Sequence, residues 1–192
     1  MWPGVSMTER KNFKRLVRER ARRTGESYTA ALRHLRPSDS SEVPAMSWQR
    51  FEKPLFAYAV RVPEGWVERD PDPKNSPWET ARYVDPADRR HSVIVFRNPV
   101  GPQRVAADMA ERAQPSLAAS GFTEFAIADA SWAGDHTGVR LDCAKRDAGR
   151  VWAVREYFLV IDGVGFCLGL GSAAPEEDDP LFTEIARTFE IL

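Results

Sequence analysis

The residues best equipped for chemistry in this 192-residue chain are two cysteines and three histidines. Cys143 and Cys167 have the right type for a disulfide or a metal site, but turn chemistry argues against both. With Asp162-Gly163 as a two-residue turn, Cys167 lies opposite Phe158. With Asp147 to Gly149 as a three-residue turn, Cys143 lies opposite Ala153. These two partners differ by an odd number, so they face opposite sides of a sheet. They also stand roughly 16 Å apart along the strand, against the ~7 Å a disulfide tolerates. The spacing predicts reduced, structural cysteines.

His34, His91 and His136 are scattered and have no His, Cys or carboxylate at zinc-ligand spacing. They read as surface or loop histidines. No G-x-S-x-G elbow is present, and no Ser or Cys has a local partner of the triad type. Gly163, Gly165, Gly169 and Gly171 invite a phosphate-loop reading. A dinucleotide fingerprint needs a helix opening right after its glycines, and here a strand continues. Glycines in a strand mark bulges or a close backbone approach. The acidic run Glu176 to Asp179 lacks the alternating ligands and central glycine of a calcium loop, so it reads as helix-end electrostatics. No catalytic, cofactor-binding or metal residue is assigned, and the chain is expected to be non-enzymatic.

Charge supplies a different signal. From Thr8 to Arg36 there are ten Lys/Arg and three Asp/Glu, net +7, while the remainder carries 17 and 25, net -8. A basic arm on an acidic body implies an acidic partner, or the body itself as partner. Arginine outnumbers lysine 22 to 5, which fits a GC-rich bacterial genome. No apolar h-region follows Met1, and no apolar run reaches the ~20 residues of a membrane span. The expected location is the cytoplasm. Met7 is a second candidate start.

The elements that must position these residues follow from periodicity. Asn12 to Arg23 reads as a helix, with Phe13, Leu16, Val17 and Ala21 on one face and Lys14, Arg15, Arg18 and Arg22 on the others. Gly25 closes it, Ser27 caps a second short helix carrying Tyr28, Leu32 and Leu35, and Pro37 stops that helix. Pro37 to Ala45 has no periodicity and reads as a linker. Strands are expected over Phe56–Val62, Thr80–Val84 and Ser92–Phe96. A helix follows over Val105–Leu117 that Pro115 should kink or split. Four strands come next, over Phe122–Ala130, Thr137–Arg146, Val151–Ile161 and Val164–Gly171. The last helix should start at Asp179 as N-cap with Pro180 in first position. The pattern predicts an α+β fold: an antiparallel sheet of about six or seven strands covered by two helices, plus an N-terminal basic helical hairpin. Its expected divisions are an arm over 1–36, a linker over 37–47 and a domain over 48–192.

Three motifs carry a family resemblance: Val62-Pro63-Glu64-Gly65-Trp66 after the first strand, Glu156-Tyr157-Phe158 in the penultimate one, and Phe182 to Phe189 at the end. From about Trp48 to Leu192 the chain resembles the PsbP-like superfamily, which includes PsbP, the LpqN lipoprotein and the Eag chaperones. The resemblance implies the same α+β fold and a binding or assembly role rather than catalysis. Ala21 to Ser27 with Ala31-Leu32-Arg33 is similar to the helix-turn-helix part of ribbon-helix-helix antitoxins, but no strand is read ahead of Lys11.

The expected function is thus a protein-binding or assembly module. Phe13, Leu16, Val17 and Trp78 are its candidate partner-binding residues, Trp78 because it lies beside Pro77 in a polar loop and Trp dominates interface hot spots. Lys14, Arg15, Arg18 and Arg22 form a candidate basic surface. A nucleic-acid-associated protein that uses this surface is the alternative.

Overall fold

Local signals fix the ends of most elements. In the computed structural model, which describes residues 7–35 and 46–192, α1 (Met7–Thr24) and α2 (Tyr28–Leu35) form a helical hairpin. Gly25 follows α1 at φ +75°, a conformation that costs little only without a Cβ, and its N–H bonds the Ala21 carbonyl at 3.0 Å. The Ser27 hydroxyl accepts the Ala30 N–H at 3.1 Å and caps α2. The linker expected from Pro37 to Ala45 lies outside the described residues.

Seven strands build the main sheet: β3 (Val67–Arg69), β4 (Glu79–Val84), β5 (His91–Pro99), β6 (Thr123–Trp132), β7 (His136–Asp147), β8 (Arg150–Ile161) and β9 (Val164–Ser172). Their spatial order is β3-β4-β5-β9-β8-β7-β6, and every pairing is antiparallel. A second sheet holds β1 (Trp48–Lys53), β2 (Tyr58–Pro63) and β10 (Glu190–Ile191), in the order β1-β2-β10. The strand expected at Phe56–Val62 belongs to this smaller sheet. Two helices complete the body, α3 (Ala106–Ala119) and α4 (Pro175–Arg187).

The period-2 alternation of strands sends side chains to two faces. Tyr157, Leu159, Phe166, Leu168 and Leu170 point to one face, where the small sheet and α4 cover them with Tyr58, Val60, Phe182, Ile185 and Phe189. Phe158 and Cys167 point to the other, where Ala110, Met109, Ala113 and Leu117 of α3 lie over them. The antiparallel sheet with a helix on each face is the expected architecture.

Three details differ from expectation. Helix α4 begins at Pro175, not after Asp179: both prolines suit a first position, and the earlier one takes it, with Ser172 Oγ accepting the Ala174 N–H at 2.8 Å. Pro180 then sits inside the helix and costs one backbone bond, as does Pro115 in α3. Neither helix is split, because burial of an apolar face outweighs one lost bond. The turn before β8 has two residues rather than three, Ala148 and Gly149, at φ +46° and +78°. One residue of register moves Cys143 from Ala153 to Val154. Cys143 and Cys167, which pairs with Phe158 as expected, therefore share a face, but four residues apart along β8, roughly 13 Å. Both are free.

A buried knot of charge fastens the hairpin to the body. Arg20 pairs with Glu26 at 2.6 Å and also with Glu177 in the first turn of α4. Glu177 is shared with Arg90 at 3.1 Å and Arg23 at 3.2 Å, and Arg90 reaches Asp178 at 2.9 Å and Asp88 at 3.2 Å. Burial pushes Glu177 up, but the guanidiniums of Arg20 and Arg90 outweigh it and hold the carboxyl below its ordinary range. His91 belongs to this knot: it is buried at the start of β5, not a surface residue, with Nε2 3.0 Å from Asp178 Oδ1. Arg90 Nε lies 3.0 Å from the same nitrogen. One nitrogen cannot donate and accept together, and the Asp178 charge places the proton on Nε2.

Gly138 of β7 is the tightest point of the sheet. The Trp132 indole donates to the Phe158 carbonyl at 3.2 Å across it, and a Cβ there would be driven into that carbonyl. Gly138→Ala is expected to lower stability by about 1–3 kcal/mol, as overpacking does, read as a lower urea midpoint at an unchanged slope. Thiol titration of the unfolded, unreduced protein should find two free thiols.

Candidate functional site

A seven-stranded face is wider than one helix. Helix α3 packs over β6, β7 and β8, and beside it the floor of β5, β9 and part of β8 is open. The gap is a groove of about 1010 Å³, at the upper end of ordinary ligand sites. Ile94 and Phe96 of β5, Gly169 and Gly171 of β9, and Val154 and Glu156 of β8 form its floor, and Met109, Ala113 and Leu117 of α3 form a wall. Two tryptophans also line it. Trp78 accepts the Arg97 N–H on its backbone carbonyl at 2.9 Å, beside Phe96, while Trp152 lies by Ser92 and Gly171. Phe96 and Ser92 are four strand residues apart, so the two indoles belong to regions roughly 13 Å apart along the floor.

The glycines of β9 make the depth. At Gly171 a Cβ would stand 2.8 Å from the Trp152 ring and 2.6 Å from the Ser92 hydroxyl, so only Gly lets both lie on the strand. At Gly169 a Cβ would meet Phe96 at 3.5 Å and Glu156 Oε1 at 3.8 Å, ordinary contact distances. The missing side chain there leaves the space open between Ile94 and Glu156. These three residues occupy one cross-strand row, Ile94–Gly169–Glu156, which continues to Leu141.

Glu156 is the one acid on this floor. Its strand face reads Trp152, Val154, Glu156, Phe158, and it makes no hydrogen bond or ion pair among the described residues. Burial alone pushes its carboxyl up to about 7, with no neighbouring charge contributing. Asp108 and Arg104 at the groove margin face each other at 3.8 Å, and Arg112 lines the margin on α3. Cys143 and Cys167 share the face of Glu156. Burial pushes Cys143 up to about 12 and Cys167 well above its ordinary range, so both thiols are neutral and poor nucleophiles. No group of three or more metal-ligating side chains occurs among the described residues. The arrangement is equipped to bind an apolar body and one polar group.

The structure separates the residues singled out from sequence. Trp78 is 47% exposed and lines the groove. Leu16 is 51% exposed on α1, far from Trp78 in sequence and absent from the groove lining. Val17 is fully buried within the helix that packs on α2 and β8, so it is withdrawn from any outside partner. Phe13 lies in α1, but its side chain is outside the described residues. Lys14, Arg15, Arg18 and Arg22 are all exposed, and none makes an ion pair among the described residues. Their neighbours Arg20 and Arg23 are the ones spent on Glu177. Glu156 was missed as a site residue, although a lone carboxylate on the apolar alternation of a strand is a visible signal.

No protein-family model matches the sequence, and no curated protein matches it. Solved structures do. PsbP (CyanoP) from Synechocystis sp. PCC 6803 is 17% identical, covers 81% of this chain and 98% of its own, and superposes with a TM-score of 0.50. Mog1p, a Ran-binding protein of Saccharomyces cerevisiae, is 12% identical over 77% of this chain and 96% of its own, with a TM-score of 0.52. LpqN of Mycobacterium tuberculosis is 18% identical over 78% of this chain and 86% of its own, at 0.47. The fold is PsbP-like. The likeness of the arm to ribbon-helix-helix antitoxins finds no support in these comparisons. No described helix is long and apolar enough to cross a membrane.

Glu156 makes a pH-dependent prediction. Its folded pKa lies above the unfolded one, so the native state holds a proton the unfolded chain releases. Stability from this group is present below about pH 4.5 and is lost as pH rises toward 7. Glu156→Gln removes the loss. Urea denaturation should find the variant more stable than the native chain by ~1–3 kcal/mol at pH 8 and about equal at pH 4.5.

Proposed function

We propose that this PsbP-like chain is a non-catalytic protein-binding module that seats a segment of a partner in the groove beside α3. The observation that carries the reading is the groove itself. It is open, floored by backbone and apolar side chains, and lined by Trp78 and Trp152, the residue type richest in interface hot spots. On the groove floor the thiols are held neutral and Glu156 has no hydrogen-bond partner among the described residues, which favours binding over nucleophilic catalysis. The fold is compatible with such a role, since its neighbour Mog1p is named as a Ran-binding protein. We place the protein in the cytoplasm of a GC-rich bacterium.

The hairpin is a second contact in this proposal. Residues 1–36 act as an arm, separable from the domain over 48–192 and clasped to it by Arg20 and Glu177. With Val17 buried, Leu16 is the exposed residue of the Leu16–Val17 pair and is free to meet a partner. The exposure of Lys14, Arg15, Arg18 and Arg22 favours one further reading, retention of nucleic acid by the arm.

Affinity capture from native lysate, with and without nuclease, tests the proposal. Gly169→Val adds a β-branched side chain at a site with room for a Cβ, so it should fold and fill the groove. Capture should fall at least tenfold in Gly169→Val and in Trp78→Ala, and should survive nuclease. Capture unchanged in both variants, but abolished by nuclease and by Arg18→Glu with Arg22→Glu, would put the nucleic-acid reading in its place.

A further inference from the structure

The strand floor of the groove carries one charged side chain, Glu156, and that group selects the occupant. Glu156 stands in a row between Gly169 and Leu141, with Val154 and Phe158 beside it on the same strand face. No described residue offers it a donor. An occupant that covered the floor with hydrocarbon would leave the Glu156 carboxyl buried without a hydrogen-bond partner, which costs free energy even when it is protonated. An acidic occupant would add repulsion. An occupant that brings a cation restores the lost hydration with a charge-assisted hydrogen bond in an enclosed setting. The open row beside Gly169 is the place for it, since no side chain fills the gap between Ile94 and Glu156.

Resting on the protein-binding reading above, we propose that the groove selects a partner segment with one basic side chain, Lys or Arg, set among apolar residues and paired with Glu156. The apolar neighbours of that cation lie on Phe96, Val154 and Trp152, and its stem crosses Gly169. The charged groups at the margin do not compete for the site. Arg104 and Asp108 face each other at 3.8 Å, and neither they nor Arg112 contributes to the titration of Glu156. The two thiols that share the face are held neutral by burial. Because burial keeps the Glu156 proton to about pH 7, docking of a cation near that pH should release it.

The test uses a fluorescein-labelled peptide, Leu-Phe-Lys-Leu-Val, and its counterpart with norleucine in place of lysine, titrated against the full chain at pH 7. The lysine peptide should bind at least tenfold tighter, and calorimetry in two buffers of different ionisation enthalpy should show proton release for it alone. In Glu156→Gln the preference and the proton release should both vanish. If the two peptides bind equally, or if the preference survives in Glu156→Gln, the inference is overturned while the groove still binds peptides. If neither binds, the inference is again overturned, and the Gly169→Val capture comparison decides the binding reading by itself. If the chain alone dimerises in sedimentation and Gly169→Val makes it monomeric, a second copy fills the groove and the inference is also overturned.

Discussion

A sheet of seven strands has two broad faces, and each must be covered or accept water on apolar side chains. One face is covered over its central strands by a second sheet and α4, around Tyr58, Phe182 and Phe189. The other has a single helix to cover it. Helix α3 shelters β6 to β8, and what it cannot reach becomes the groove. The groove is thus a by-product of coverage, and its lining brings together glycines, two tryptophans and one carboxyl on the strand floor.

The ends of the body are tied by a different force. Near the start of β5, Arg90 pairs with Asp88 and, with His91, meets Glu177 and Asp178 at the positive end of α4, and Arg20 brings the hairpin to the same place. Buried charge contributes little net stability when well paired, but breaking one member leaves its partners uncompensated. The knot therefore specifies where the hairpin sits more than how strongly it sits. It also divides the arm's cations. Arg20 is buried, Arg23 reaches Glu177 from the exposed surface, and Lys14, Arg15, Arg18 and Arg22 remain in solvent.

Much of this was legible in the sequence, for reasons that differ by element. Strands β7 to β9 announced themselves because Asp147-Ala148-Gly149 and Asp162-Gly163 punctuate the apolar runs, and Asp162-Gly163 adopts the positive φ that an Asp-Gly pair favours. Strands β1, β3 and β10 did not, since three residues or a run such as Trp-Gln-Arg-Phe-Glu-Lys carry no clean period. The start of α4 was misplaced because two prolines satisfied the same rule. The cysteine registers were half right, as one turn residue too many turns a side chain over. Of the site, Trp78 was visible as an aromatic stranded in a polar loop. The groove was not, because it depends on how far α3 extends over a sheet whose strand order no local pattern encodes. His91 was misread for the same reason: its partner Asp178 is distant in sequence and adjacent only in the folded chain.

The glycine at 169 has an evolutionary meaning as well. Nothing in backbone conformation demands it, since a Cβ would meet only ordinary contacts. Drift should therefore replace it freely with β-branched residues that suit a central strand. A lineage in which the position stays glycine is under selection for empty space. One in which it becomes valine or isoleucine has kept the scaffold and filled the gap between Ile94 and Glu156.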